Sequence, residues 1–174
     1  MGYLKHKGKK YTSVLLKISR NTDFSRILDE LHQIFFAGID EKIIENIRYS
    51  LLELVNNSIR AHKERNENRD IQLRFKLTED EVITTLKDWG GGFDKKNLPY
   101  DLDQEVQDID INNQDFLNYR EKHGYHRFGM GLLITKKTFS FFKLSFVGHQ
   151  GEMQEEYEDE NTAGTVIELR SRLQ

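Results

Sequence analysis

The stretch of residues 40–63 limits the possible folds more than any other part of the chain. At 100° per residue, Ile44, Ile47, Leu51 and Val55 fall on one narrow stripe, and Asp40 stands where a capping residue is needed. A long helix with one apolar stripe must lay that stripe on a sheet. Strands for such a sheet follow directly. Residues 71–77 and 82–87 are apolar and β-branched, and the polar turn Thr78-Glu79-Asp80-Glu81 joins them as a hairpin.

Further elements lie on both sides. Residues 11–19 read as a first strand. Asp23 is placed to cap a helix running to about Phe36, with Ile27, Leu28, Leu31, Ile34 and Phe35 as its apolar face, and Gly38 stops it. Between residues 93 and 127 the periodicity weakens and Asp and Asn abound. A loop of that length without structure of its own is usually functional or mobile. Gly129 and Gly131 then open a helix predicted over residues 132–141, and strands are predicted over 143–148, 152–157 and 165–170. The acidic run 155–160, interrupted by Tyr157, is expected as a solvated hairpin tip. Helices and strands are unevenly mixed, with several hairpins and no proline- or serine-rich linker. The expected fold is therefore α+β: a two-layer α/β sandwich in one domain over residues 1–174, its mixed sheet mostly antiparallel, with helices on one face.

Composition narrows the class. The chain is 37% apolar and 32% charged with a net charge of −3, which suits a solvated domain and argues against a dominant nucleic-acid surface. It has no cysteine, so disulfides, zinc thiolate sites and cysteine nucleophiles are excluded. No apolar run is long enough to span a bilayer, and the basic N-terminal residues lack the apolar core of a secretory signal. No membrane partner and a cytoplasmic location are expected.

Four features carry chemistry. On the long helix, Glu53 and Asn57 are four apart and share a face well away from the apolar stripe. Asn offers a neutral oxygen suited to magnesium, and Glu can accept a proton from an attacking hydroxyl or water. Polar residues on an outer helix face are equally the ordinary pattern. Next, Asp88-Trp89-Gly90-Gly91-Gly92-Phe93-Asp94 follows a predicted strand. Its glycines permit close approach of a ligand, and an aspartate at a strand end can accept from an exocyclic amine such as the N6 of adenine. A plain glycine turn is the alternative. Third, Arg127-Phe128-Gly129-Met130-Gly131-Leu132 leads into a helix, where free N–H groups favour phosphate and Arg127 adds charge; a hinge is the alternative. No Walker loop and no dinucleotide fingerprint occurs. Last, Gly164-Thr165 marks the start of a strand.

Taken in order, Glu53-x-x-x-Asn57, Asp88-x-Gly90-x-Gly92, Gly129-x-Gly131 and Gly164-Thr165 resemble the motif set of the histidine-kinase-like (GHKL) ATPase superfamily, which has the Bergerat-type fold. It includes gyrase B, heat-shock chaperone ATPases, histidine kinases and the mismatch-repair MutL ATPases. The resemblance implies ATP and Mg2+ as cofactors. It makes Asn57 the magnesium ligand, Glu53 the base, and Asp88 the reader of adenine above a pocket floor shaped by Gly90 and Gly92. It implies that residues 93–127, from Phe93 to Arg127, form a mobile lid, with Arg127 at the terminal phosphate. Gly129, Met130 and Gly131, leading into Leu132, would give N–H groups to the phosphates, and Thr165 would sit near the adenine.

About fifty residues precede Glu53, and one strand and one helix use them, so no dimerisation helix with a phospho-accepting histidine is expected there. His32 reads as a surface or interface residue. Histidine kinases also commonly carry Asn where this chain has Glu53. The pattern is most similar to the anti-sigma factor serine kinases of bacterial partner switching, through E-x-x-x-N, D-x-G-x-G-F-D and R-x-G-M-G. That likeness implies an ATP-dependent serine/threonine kinase whose partners are a sigma factor and an antagonist protein, and members of such families form dimers through the sheet face or edge. The acidic 101–110 stretch departs from that pattern. A nucleotide-gated binding module without phosphotransfer, and a histidine-kinase catalytic domain acting in trans, are the competing readings.

Overall fold

The computed structural model describes residues 3–98, 118 and 129–173. Its larger sheet has six strands: β3 (Ser13–Ile18), β5 (Ile71–Leu77), β6 (Glu81–Lys87), β9 (Thr162–Arg172), β7 (Phe141–Gly148) and β8 (Met153–Gln154), in that spatial order. A smaller sheet orders β2 (Lys9–Tyr11), β1 (Leu4–His6) and β4 (Ile34–Phe36). Every pairing among the described strands is antiparallel. With α1 (Phe24–His32), α2 (Glu41–Glu64) and α3 (Gly129–Thr138), the fold is α+β, as the sequence predicts.

Alternation sets which side of the large sheet is covered. Val14, Leu16 and Ile18 of β3, Ile71, Leu73 and Phe75 of β5, and Val82, Thr84 and Leu86 of β6 are buried, while the intervening residues are partly or fully exposed. All of these except Thr84 join Ile44, Ile47, Leu51 and Val55 of α2 in a single apolar cluster. The stripe read from the sequence therefore faces the core. α2 begins as expected, with the Asp40 carboxylate accepting the Lys42 N–H at 2.9 Å.

The N-terminal third differs from expectation. The helix predicted to Phe36 ends at His32, and Ile34–Phe36 is a strand paired with β1. The alternating burial of Ile34, Phe35 and Phe36 is that of a strand, but its partner lies in residues that read only as basic. β1 and β2 meet in a two-residue turn in which Lys7 (φ 50°) and Gly8 (φ 81°) both take positive φ, the combination that tight hairpins require. Phe36 packs edge-on against Phe75 at 5.4 Å, joining the two sheets. The buried Arg48 ties β4 to α2 by donating to the Ile34 carbonyl at 3.1 Å. Asp23 occupies the N-cap position of α1, yet its side chain makes no capping bond. His32 is exposed, its Nδ1 2.8 Å from the Leu28 carbonyl oxygen.

Three later boundaries also move. α3 starts at Gly129 and ends at Thr138, not 132–141, and Phe141 opens β7. Pairing to β9 claims that end of the helix early, because the Ser140 N–H already donates to the Arg170 carbonyl at 2.9 Å. The strand predicted over 152–157 shortens to Met153–Gln154, and β9 starts at Thr162, so Gly164-Thr165 lies inside the strand. The acidic run is exposed except for Tyr157, whose ring packs on Phe146 at 5.8 Å. No helix among the described residues is long and apolar enough to cross a membrane.

Candidate functional site

Asp88 lies one residue beyond β6 and continues its alternation, so it points to the covered side of the sheet with Leu86 and Thr84. Only 7% of it is exposed. A carboxylate at a core-facing position is costly unless its lone pairs are filled. Here they are. Oδ2 accepts from the Ser58 hydroxyl at 2.6 Å and the Thr165 hydroxyl at 2.9 Å. Oδ1 accepts from the Gly90 N–H at 3.0 Å and the Thr165 N–H at 3.4 Å. Three parts of the chain thus converge on one side chain: α2, the glycine segment, and β9. An incoming amine must take one of these places, and the two hydroxyls are the partners free to rotate away.

The backbone beneath is equally fixed. Asp88 and Thr165 exchange N–H···O bonds of 3.0 and 3.2 Å, which extend the β6–β9 ladder past the end of β6. Gly164 permits that approach, since a side chain there would occupy the place of the Asp88 carbonyl. At Gly92, φ is +68°, a conformation that L side chains rarely adopt.

One cavity is lined by seven of the predicted residues: Asn57, Asp88, Gly90, Gly92, Phe93, Leu132 and Thr165. Its volume is about 30 Å³, room for little more than a water, so a purine enters only as the walls part. Phe93 sits at the edge of this cavity and packs edge-on against Phe146 at 6.3 Å. The segment after it starts with a short 3-10 turn, Lys95–Asn97, capped by Asp94. The rest of the predicted lid lies outside the described residues, apart from Asn118, and so does Arg127. A larger cavity of about 340 Å³ is lined mainly by residues of β1, β3 and α1, among them Lys7, Lys17, Arg26, Glu30 and Asp70; it contains none of the predicted residues.

Asn57 is buried, 8% exposed, and not on an outer polar face. Its neighbours explain this: α3 packs along α2, with the Ser50 hydroxyl donating to the Thr138 hydroxyl at 3.1 Å. Among the described residues the Asn57 amide has no hydrogen-bond partner, although it lines the cavity. An amide open on the cavity wall can bond to whatever enters the cavity. Glu53, one turn earlier, is half-buried and does not line the cavity. Gly129, Met130 and Gly131 form the first turn of α3, where helical N–H groups lack intrahelical acceptors. Leu132, in the next position, is 1% exposed.

Sequence reasoning missed Ser58, Ala61 and His62. Ala61 lines the cavity beside Gly90. His62 is fully buried, and its Nε2 accepts the Trp89 N–H at 2.8 Å. Burial pushes its pKa down; the charges of Asp88 and Glu67 act the other way, and weaker. A signal was present. Carried further along α2, the stripe of Ile44 and Val55 also takes in Ser58 and His62, two polar residues on the buried side.

No curated protein matches the chain. The profile of the histidine kinase-like ATPase domain matches residues 19–150, which include α1, α2, the Asp88–Asp94 segment, α3 and β7 but leave Thr165 outside. With most of its length covered by that match, and the motifs of α2, the β6 end and α3 brought together around one cavity, the chain belongs to the histidine kinase-like ATPase family.

Proposed function

We propose that the chain binds ATP with magnesium and acts as an anti-sigma-type serine/threonine protein kinase. The observation that carries the nucleotide part is the pairing of two buried groups on one cavity: a saturated carboxylate, Asp88, and an amide without a partner among the described residues, Asn57. Asp88 takes the N6 amine. Gly90, Gly92, Phe93 and Thr165 enclose the base. Asn57 would hold magnesium through its one side-chain oxygen, as suits an ion that dehydrates reluctantly and needs few protein ligands. Magnesium bound there would supply positive charge against the phosphates. Glu53 accepts the proton of the attacking serine hydroxyl, and Arg127 with the N–H groups of Gly129, Met130 and Gly131 holds the phosphates. A sigma factor and its antagonist are the proposed protein partners, and a homodimer is the proposed assembly.

Calorimetric titration of ATP and magnesium into wild type and Asp88→Asn tests the site. Asn keeps the size but turns one acceptor into a donor, so the variant should bind roughly 1–3 kcal/mol more weakly. If wild type shows no heat of binding at high nucleotide concentration, the nucleotide reading is wrong. The kinase reading is tested by γ-phosphate transfer to antagonist candidates from the same genome, and binding of ATP with no transfer would sink it. Because Glu53 does not line the cavity with Asn57, a nucleotide-gated binding switch without phosphotransfer is the second reading. Partner regulation that survives Glu53→Ala would select it. An acid-labile phosphohistidine product would instead select a histidine-kinase domain acting in trans.

A further inference from the structure

The residue after Asp88 is held by a group that no motif above explains. Trp89 donates its backbone N–H to Nε2 of His62 at 2.8 Å, and Gly90 donates its own to Asp88 Oδ1 at 3.0 Å. Both peptide N–H groups that follow Asp88 are therefore fixed. His62 lies one turn beyond Ser58 on the same side of α2. That side thus contacts the carboxylate of Asp88 through Ser58 and the next peptide through His62. The indole of Trp89 is held separately, with the Arg69 guanidinium 4.1 Å and the Lys87 ammonium 4.6 Å from its ring centre.

We infer that His62 is the positioning residue of the adenine end, and that only its neutral ring can hold the Asp88–Gly92 segment in the nucleotide-reading position. A ring that accepts at Nε2 carries its proton on Nδ1. Protonation of Nε2 would set N–H against N–H at a site with no exposure to water. The segment would then have to leave α2, taking Asp88 from Ser58. The charged and titratable groups that face His62 are Asp88 at the end of β6 and Glu67 and Arg69 in the loop after α2. Glu67 is already engaged. Its Oε1 accepts from Arg69 Nε at 2.9 Å, its Oε2 accepts from Arg69 Nη2 at 2.8 Å, and its pKa is lowered to about 2, so it stays ionised through the range in which a histidine titrates. Burial outweighs both carboxylates and keeps His62 neutral below the ordinary histidine range. The sign follows. With the folded pKa depressed, the contribution of His62 is complete above the unfolded value of 6.5 and is lost progressively as the pH falls below it.

The inference rests on the ATP reading, and two measurements keep their failures apart. In the first, ATP and magnesium are titrated calorimetrically into the full chain as wild type, His62→Gln and His62→Ala, from about pH 8 to about pH 5.5. Gln presents an oxygen to the Trp89 N–H but takes up no proton. At the upper pH, His62→Gln should bind within about threefold of wild type, and His62→Ala about tenfold more weakly. Towards the lower pH, wild type should weaken by more than His62→Gln, which should change by less than about threefold. Parallel pH profiles for wild type and His62→Gln, or undiminished binding by His62→Ala, would overturn the inference. The second measurement needs neither nucleotide nor variant. Nitrogen–proton NMR of the wild-type ring should show Nδ1–H with Nε2 bare at about pH 8, and the Trp89 amide should shift as the ring titrates. A ring protonated on Nε2 at that pH ends the inference even if ATP fails to bind or the variants fail to fold. Absence of ATP binding at about pH 8 with the Nδ1–H ring in place would defeat the ATP reading alone, and leave His62 as the residue that fixes the segment.

Discussion

At Asp88 both carboxylate oxygens are filled by donors from α2, the glycine segment and β9, whereas at Asn57, the residue beside Ser58 on α2, an equally buried amide has no partner among the described residues. The two groups line the same cavity. The difference separates recognition from chemistry. The end at Asp88, proposed to read the base, is completed by folding, so its partners stabilise the protein as well as the site, and a ligand must displace one of them. The end at Asn57, proposed to face the phosphates, is left open. Its polar group gains a partner only when something enters, which is how binding energy is saved for the reactive part of a ligand. Substitutions at the first end should therefore cost folding and binding together, and substitutions at the second should cost function with little effect on folding.

Gly164→Ala should have the largest effect on stability. The new methyl group would meet the Asp88 carbonyl and the Trp89 backbone, neither of which can turn aside as a flexible side chain would. Overpacking of this kind costs roughly 1–3 kcal/mol and occasionally more. Because the strained contact lies on the ladder that carries Asp88, nucleotide affinity should fall with stability. Urea denaturation and calorimetric titration of the same preparation test the coupling. A variant that unfolds earlier yet binds ATP normally would show that the base-reading end is not built by the β6–β9 contact.

How much of this contrast could be read from the sequence depended on how local each signal is. The extent of α2, its cap and its core stripe follow from periodicity within one segment, and the β5–β6 hairpin from two neighbouring runs and their turn. β1, β2 and β4 are three residues each, too short to show a period, and β4 is fixed by a partner some thirty residues earlier in the chain. In the site, Asp88, Asn57 and the glycines could be read because their spacing is a motif. Ser58 and His62 are isolated polar residues whose roles come from the packing of α2 against the end of β6, and one sequence records that only as polar side chains on a buried stripe. Thr165 was recognised, but its two bonds to the Asp88 carboxylate depend on a strand register that starts three residues earlier than predicted.

Asn57→Ala tests the open end. Replacing an amide that has no partner among the described residues breaks no hydrogen bond there and leaves a small void. The net change in stability should lie within about 1 kcal/mol. The effect of magnesium on nucleotide affinity should nevertheless disappear, as read by titrating ATP with and without the ion. A destabilisation as large as that of Gly164→Ala would mean that Asn57 is held by the fold after all, and the contrast between the ends would collapse.

The smallest structural effect belongs to Glu53→Gln. Glu53 is half-buried and makes no hydrogen bond or ion pair among the described residues, so replacing its charge by an amide of the same shape should move stability by no more than about 0.5 kcal/mol. Nucleotide affinity should also stay within about twofold, since Glu53 does not line the cavity. Phosphotransfer is where the loss should appear. A positioned base contributes on the order of 10²–10⁴-fold, and Gln cannot take the proton. Single-turnover transfer measured alongside binding separates the two. Transfer that persists in Glu53→Gln would place the base elsewhere, among residues the cavity does not bring to Asn57. Binding that weakens as much as in Asp88→Asn would mean instead that the walls part widely enough for Glu53 to meet the ligand, so that the open end is completed by a movement and not by the side chains already lining it.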